Sequence, residues 1–356
     1  PQHLRVTKEG TGKLSDKASE ILKKISESKK HNLLLYGPPG TSKTFVIQEI
    51  MNYIKETPFI HEFDTPVKTV WLTFHQGFSY DEFILGLRPK STKAGFELKA
   101  RAGILLESAI RIKEEGGSVI LFIDEINRAN VSSVFGEFMT VMEPEKRLDR
   151  KGADTSGTVP IRLAMINDGD EVELSDGSTR NIENPFKFPA NIFVISTMNS
   201  LDRSVAPLDS ALKRRFHIVN FPPNYILLKN MLGLYDINFS SPKTPQETAI
   251  MLLQRINGFI EATLGDDFCL GHTYVWGVVD GKSDNAKWNA LTEAWNNSIY
   301  PHLKELFRSQ PDTLKSIIKF EDSNKPENYP YKEKKLDSKI EELDNAESEQ
   351  IDESHA

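Results

Sequence analysis

Four short stretches of this chain carry residue types whose spacing suits phosphate chemistry. The first is Gly37-Pro-Pro-Gly-Thr-Ser-Lys-Thr44, which follows the apolar run Leu33-Leu-Leu35 and precedes a segment with helical spacing. A Gly-rich turn entering a helix can aim successive backbone N–H groups at one anion. Gly37 and Gly40 would allow the tight wrap around Pro38, Pro39 and Thr41, Lys43 would reach the β- and γ-phosphates, and the Thr44 hydroxyl would hold Mg2+. The pattern G-x-x-x-x-G-K-[ST] calls for glycine where Ser42 stands. With a near-helical backbone Ser42 would cost little, and with positive φ the strain would be about 1 kcal/mol. The alternative is a plain Gly/Pro turn that happens to contain Lys-Thr.

The second stretch, Leu121-Phe-Ile-Asp-Glu-Ile126, ends an apolar strand in two carboxylates. At the carboxyl edge of a parallel sheet, Asp124 could orient the shell of a Mg2+ ion opposite Thr44, and Glu125 could polarise an attacking water. The alternative is an acidic strand end that caps a helix. The third is Ser196-Thr-Met-Asn199, whose terminal amide could orient that water; taken alone, it reads as a turn asparagine. The fourth is Ala211-Leu-Lys-Arg-Arg-Phe216. Arg214 and Arg215 could stabilise transition-state charge on a neighbouring copy's nucleotide, or simply form a solvated basic patch.

These residues need a scaffold that brings strand ends together. Asn191–Thr197, Phe216–Phe221, Val67–Phe74, Ser118–Ile123 and residues 31–36 read as strands, the central ones continuously apolar as in a sheet covered on both faces. Helical spacing marks 14–30, about 43–55, 100–115 and 130–143. Strands alternating with helices indicate an α/β fold, a parallel-sheet core with helices on both faces. The expected divisions are an N-terminal helix within 1–30, the core over 31–222, a helical lid over 223–321 and a charged, disordered tail over 322–356. Within the core, 144–188 is Gly- and Asp-rich and reads as an inserted hairpin, with strand candidates at Pro160–Met165 and Glu171–Leu174. Trp276, Trp288 and Trp295 are expected in the lid's core.

Length and composition agree with this plan. At 356 residues the chain can hold two or three domains, and a net charge of −7 argues against coating nucleic acid by bulk electrostatics. The single Cys269 excludes a disulfide framework and suits a cytoplasmic location, and no apolar run approaches the length of a membrane span.

Together the four stretches resemble the AAA+ ATPase superfamily over roughly residues 20–320. Further stretches resemble its McrB branch, the GTP-hydrolysing motor subunit of modification-dependent restriction systems. They are Phe74-His-Gln-Gly-Phe-Ser-Tyr-Asp-Glu-Phe83 with Gly86-Leu-Arg-Pro89, Asp124-Glu-Ile-Asn-Arg-Ala-Asn130 with Phe135-Gly-Glu-Phe138, and Glu143-Pro-Glu-Lys-Arg147. Thr197-Met-Asn-Ser-Leu-Asp-Arg-Ser204 and Leu270-Gly-His-Thr-Tyr274 complete the set.

The resemblance implies Asn199 as a first sensor beside Asp202 and Arg203, Arg214 and Arg215 acting in trans, Arg128 facing a subunit boundary, and His272 as a second sensor. His75 and Tyr80 read instead as packing behind the second strand. The resemblance further implies a homo-oligomeric, hexameric ring, GTP with Mg2+, and an McrC-like nuclease partner. DNA would be reached through a partner or a domain upstream of Pro1. No residue specifies guanine over adenine, so an ATP-dependent protein-remodelling ring of the MoxR type is the alternative. Ser42 for Gly and Lys213 for a third Arg are the departures from the family pattern.

Overall fold

The computed structural model describes residues 14–27, 29–60, 63, 65–92, 95–201, 210–234 and 244–318. The expected tail at 322–356 and the accessory candidates Asp202 and Arg203 lie outside the described residues. The chain divides into two compact units. One comprises the chain through Gly37 together with Ser42–Phe221, and the other comprises Pro38–Thr41 and the chain from Pro222 onward.

Among the described residues the first unit holds nine strands: β1 (Asn32–Gly37), β2 (Val67–Thr73), β3 (Leu85–Thr92), β4 (Gly95–Ala102), β5 (Ser118–Asp124), β6 (Glu171–Glu173), β7 (Thr179–Asn181), β8 (Ile192–Asn199) and β9 (His217–Asn220). Five form an all-parallel sheet in the order β2-β5-β8-β1-β9. Alternate residues of its central strands point to opposite faces, which is why these strands are continuously apolar. Leu34, Val119, Leu121, Ile123 and Val194 enter one core cluster, while Leu33, Leu35, Ile120, Phe122, Phe193 and Ile195 enter another.

Helices α1 (Asp16–Glu27) and α2 (Lys43–Glu56) cover the second of these faces through Ala18, Ile21, Leu22, Ile25, Val46, Ile47 and Ile50. The short helix α3 (Tyr80–Phe83) and α4 (Ile104–Glu115) add Phe83, Leu105, Leu106 and Ala109 to the other. The same face takes Phe135 from α5 (Val131–Phe135) and Phe138 from the 3-10 turns at Gly136–Met142. A last short helix, α6 (Ser210–Lys213), precedes β9.

Three expectations are corrected here. Residues 100–102 are strand, because β4 runs antiparallel to β3 and helix starts only at Ile104. The helix expected at 130–143 breaks at Gly136, whose φ of 49° ends the α-turn. Pro160–Met165 forms no strand, only an isolated bridge between Ile161 and Phe186. The stretch 144–188 holds the β6–β7 hairpin, and β6 pairs parallel with β4, making a second sheet in the order β3-β4-β6-β7. Side chains from 144–188, among them Leu163, Val172, Leu174, Phe186 and Phe188, belong to the main core.

The second unit is helical from Tyr225: α7 (Tyr225–Leu232), α8 (Pro245–Leu264), α9 (Gly277–Asp280), α10 (Asp284–Ala294), α11 (Tyr300–Leu306) and α12 (Pro311–Ile318). At the start of α8, Thr244 Oγ1 accepts from the Glu247 N–H while the Thr244 N–H donates to Glu247, and Pro245 takes the first turn. That reciprocal cap satisfies donors a helix start otherwise leaves open. The core of this unit gathers Leu228, Ile250, Leu253, Ile256, Leu291 and the fully buried Trp295. Trp288 packs half-buried against that core, and Trp276 is half-buried beside the His272 ring. Among the described residues no helix is long and apolar enough to cross a membrane.

Candidate functional site

Parallel pairing brings three of the four stretches to one edge of the sheet. Gly37 at the end of β1 pairs with Asn199 at the end of β8, and Ile123 of β5 pairs with Ser196 of β8. Asp124 and Glu125 therefore emerge beside Asn199 at the carboxyl edge, where sheets of this type bind ligands.

One carboxylate oxygen of Asp124 gathers two hydroxyls. Its Oδ1 accepts from Thr197 Oγ1 at 2.6 Å and from Thr44 Oγ1 at 3.2 Å. Thr197 also accepts the Glu125 backbone N–H at 2.9 Å. Glu125 sits in the left-handed region at φ 58°, a conformation that costs a non-glycine residue about 1–3 kcal/mol and clusters at functional sites. The bond to Thr197 helps hold it there. Its carboxylate is gripped at both oxygens, Oε1 accepting from Asn199 Nδ2 at 2.8 Å and Oε2 from Arg128 Nε at 2.8 Å. The Thr44 hydroxyl and the Asp124 carboxylate form an all-oxygen donor pair, the kind Mg2+ prefers when phosphates and waters complete its shell. Among the described residues no cluster of three or more His, Cys, Asp or Glu side chains suits a metal.

In the phosphate loop Lys43 is buried and its Nζ donates to the Gly37 carbonyl at 2.8 Å. Thr41 Oγ1 donates to the Pro38 carbonyl at 2.9 Å, and the Ser200 N–H donates to the Gly37 carbonyl at 3.1 Å. Ser42 is the residue before α2, with φ 66° and ψ 21°. The strained of the two alternatives for this serine is the one adopted, which is the physical reason glycine is the usual occupant.

The paired arginines part company. Arg214 is exposed. Arg215 turns inward: its Nη2 pairs with Glu143 Oε1 at 2.9 Å, its Nη1 donates to the Ala211 carbonyl, and its side chain is 11% exposed. The Glu143 carboxylate thus holds Arg215 within its own chain, while Arg214 faces outward. His272 is buried, accepts the Asn224 N–H on Nδ1, and burial lowers its pKa to about 4. Tyr80 is half-buried, with its hydroxyl donating to Glu137 at 2.6 Å. His75 is instead exposed, touching Phe78 edge-on.

Sequence reasoning missed two contributors to this unit. Thr197 lies two residues before Asn199, and residues two apart on a strand share one face, so the spacing signals its place. Arg147, the last residue of the stretch Glu143-Pro-Glu-Lys-Arg147, is the other. It is fully buried, donates to the carbonyls of Val141, Met142 and Ile192, and lies over the Phe188 ring. It ties the 3-10 turns to the start of β8, and nothing in its local sequence distinguishes it from a surface arginine.

A phosphate loop at the end of β1, an acid pair at the end of β5, a polar tip on β8 and a helical unit after the sheet define an AAA+ nucleotide-binding protein. Residues 32–216 match the AAA domain of the dynein-related subfamily, and residues 248–315 match the alpha-helical lid domain of McrB. The chain belongs to the McrB-type AAA+ family. It is 33% identical to the EcoKMcrB subunit of a type IV methyl-directed restriction enzyme of Escherichia coli K12, over 82% of this chain and 56% of that protein. It is 28% identical to the YdiS component of the type II restriction enzyme BsuMI of Bacillus subtilis 168, over 52% of this chain and 55% of that protein. The chain thus spans about half the length of the curated relatives it matches. Among solved structures it overlaps C. elegans PCH-2 at 16% identity, covering 81% of this chain and 71% of that one with a TM-score of 0.36. A putative ATPase from Cytophaga hutchinsonii overlaps at 15% identity, covering 84% and 78%, with a TM-score of 0.30.

Proposed function

We propose that this chain hydrolyses the β–γ bond of a nucleoside triphosphate, GTP favoured, within a hexameric ring that drives a McrBC-like DNA restriction complex. The observation that carries the reading is the acid pair: Asp124 bonded to the Thr44 hydroxyl and Glu125 bonded to Asn199, on adjacent strand ends. Hydrolysis joins a water oxygen to the γ-phosphorus and breaks that phosphorus's bond to the bridging oxygen. Glu125 polarises the water and takes its proton, and Asn199 aims the carboxylate. Lys43 leaves the Gly37 carbonyl to balance charge on the β- and γ-phosphates. Thr44 and Asp124 would hold Mg2+, which neutralises charge on the phosphate oxygens when bound. Arg214 is the exposed arginine with reach toward a neighbouring copy.

The relatives are named as a subunit and a component of restriction enzymes, which supports a role within a multi-component restriction complex. The GTP preference, the ring, an McrC-like nuclease partner, access to DNA through partners or regions outside this chain and a cytoplasmic location belong to the same reading. The test is steady-state turnover of GTP and ATP by the full chain, alone and with a nuclease-bearing partner, with Glu125→Gln as control. GTP turnover lost in the variant is expected. No turnover of either nucleotide overturns the reading, and a strong ATP preference moves the chain toward the MoxR type.

A further inference from the structure

We propose that Leu270–Tyr274 is a clasp that sets the shape of the phosphate loop, with Thr273 as a positioning residue for triphosphate binding. The inference rests on reading Gly37–Thr44 as the nucleotide site. Its starting point is that Pro38–Thr41, the tip of that loop, groups with the chain from Pro222 onward and not with the unit that holds β1 and α2 on either side of it.

Three hydrogen bonds make the attachment. The Gly271 N–H donates to the Pro39 carbonyl at 3.1 Å, the Thr273 N–H donates to the Gly40 carbonyl at 3.0 Å, and the Thr273 hydroxyl donates to that same carbonyl at 3.0 Å. Each peptide group is planar and trans, so its C=O and the next residue's N–H point in opposite directions. Holding the carbonyls of Pro39 and Gly40 on the clasp side therefore aims the N–H groups of Gly40 and Thr41 to the other side. A phosphate-binding loop needs that outcome, since its anion is held by converging backbone N–H groups.

The approach is close enough to dictate residue type. A Cβ on Gly271 would fall 2.0 Å from the Gly40 carbonyl carbon and oxygen and 2.5 Å from the Pro39 oxygen. Gly40 has φ 76° and would meet Thr273 Oγ1 at 2.7 Å if it carried a Cβ. Behind the clasp, the buried Asn257 of α8 accepts the Leu270 N–H at 2.7 Å and donates to the Leu270 carbonyl at 2.8 Å. The clasp is thus anchored on the longest helix of its unit. The chemistry of this stretch lies in its backbone and in Thr273, not in the His272 ring.

The experiment titrates the full chain with fluorescent methylanthraniloyl GTP and ATP in the presence of Mg2+, and measures kcat and KM on GTP and ATP. Thr273→Val, which removes one donor at constant shape, is expected to weaken nucleotide affinity about five-fold with kcat changed less than about two-fold. Thr273→Ser, which restores the donor, is expected to bind like the wild type. Gly271→Ala is expected to weaken binding more than Thr273→Val; should it fail to fold, the Val and Ser pair decides. Wild-type affinity in Thr273→Val, or equal weakening in Thr273→Val and Thr273→Ser, would overturn the clasp. A wild-type chain that binds neither nucleotide would overturn the nucleotide-site reading itself, and the clasp with it.

Discussion

Asn199, at the tip of β8, donates its side-chain amide to Glu125, whose other carboxylate oxygen is held by Arg128 three residues further along. The second acid therefore stands between the end of one strand and the turn after another, aimed by groups that do not themselves react. Asn199→Ala should lower kcat about 100-fold while changing nucleotide affinity far less, because the lost bond aims a catalytic group and does not hold phosphate. Steady-state kinetics beside a binding titration separate the two; equal losses in both would contradict the role.

Ser42 offers a test of stored strain. Its left-handed backbone costs about 1–2 kcal/mol, which Ser42→Gly would relieve against about 0.5–1 kcal/mol of extra chain entropy. The variant should melt at the same temperature or a few degrees higher, with nucleotide affinity and turnover little changed. A large rise in turnover would mean that the serine damps the site.

Arg214 and Arg215 should fail differently. Arg215→Ala breaks a mostly buried ion pair with Glu143 and should cost about 2–3 kcal/mol of stability, read by denaturant unfolding. Arg214→Ala, at an exposed position, should leave stability within about 0.5 kcal/mol. In the assembled protein it should cut turnover about 1000-fold, the worth of an arginine finger. Unchanged turnover in Arg214→Ala would remove it from the site.

Acid should weaken the fold before the carboxylates titrate. Burial lowers the pKa of His272 to about 4; burial, with a smaller contribution from the Arg147 charge, lowers that of His31 to about 3. Unfolded histidine titrates near 6.5, so between about 6.5 and 4 the unfolded chain binds more protons than the folded one. Stability is therefore full above about pH 6.5 and is lost as pH falls toward 4, by on the order of a few kcal/mol. Unfolding measured at pH 7.5 and 5.0 should show this loss, and His272→Gln should reduce it. A pH-independent midpoint would contradict the burial of both rings.

The chain's local pattern determined the class of fold and most of the site. Continuous apolar runs at Leu33–Leu35, Leu121–Ile123 and Ile192–Ile195 mark strands covered on both faces; Asp124, Glu125 and Asn199 sit at or just past the ends of two of them, and Lys43 and Thr44 open the helix after the first. Strand, turn and acid pair are neighbours in sequence, so their signals are local.

What depended on distant partners was decided only by the tertiary structure. The parallel pairing of Ala100 with Val172 joins segments about seventy residues apart, and no local periodicity announces such a register. The Gly and Asp residues of 144–188 mark turns, and only the folded chain shows that its Val172, Phe186 and Phe188 join the core. Arg214 and Arg215 are identical in type and adjacent in sequence; the position of Glu143 buries one and leaves the other exposed. Likewise, Gly271 and Thr273 meet Pro39 and Gly40 across more than two hundred residues of chain. A hydrogen bond depends on separation in space, and only the folded chain sets that separation.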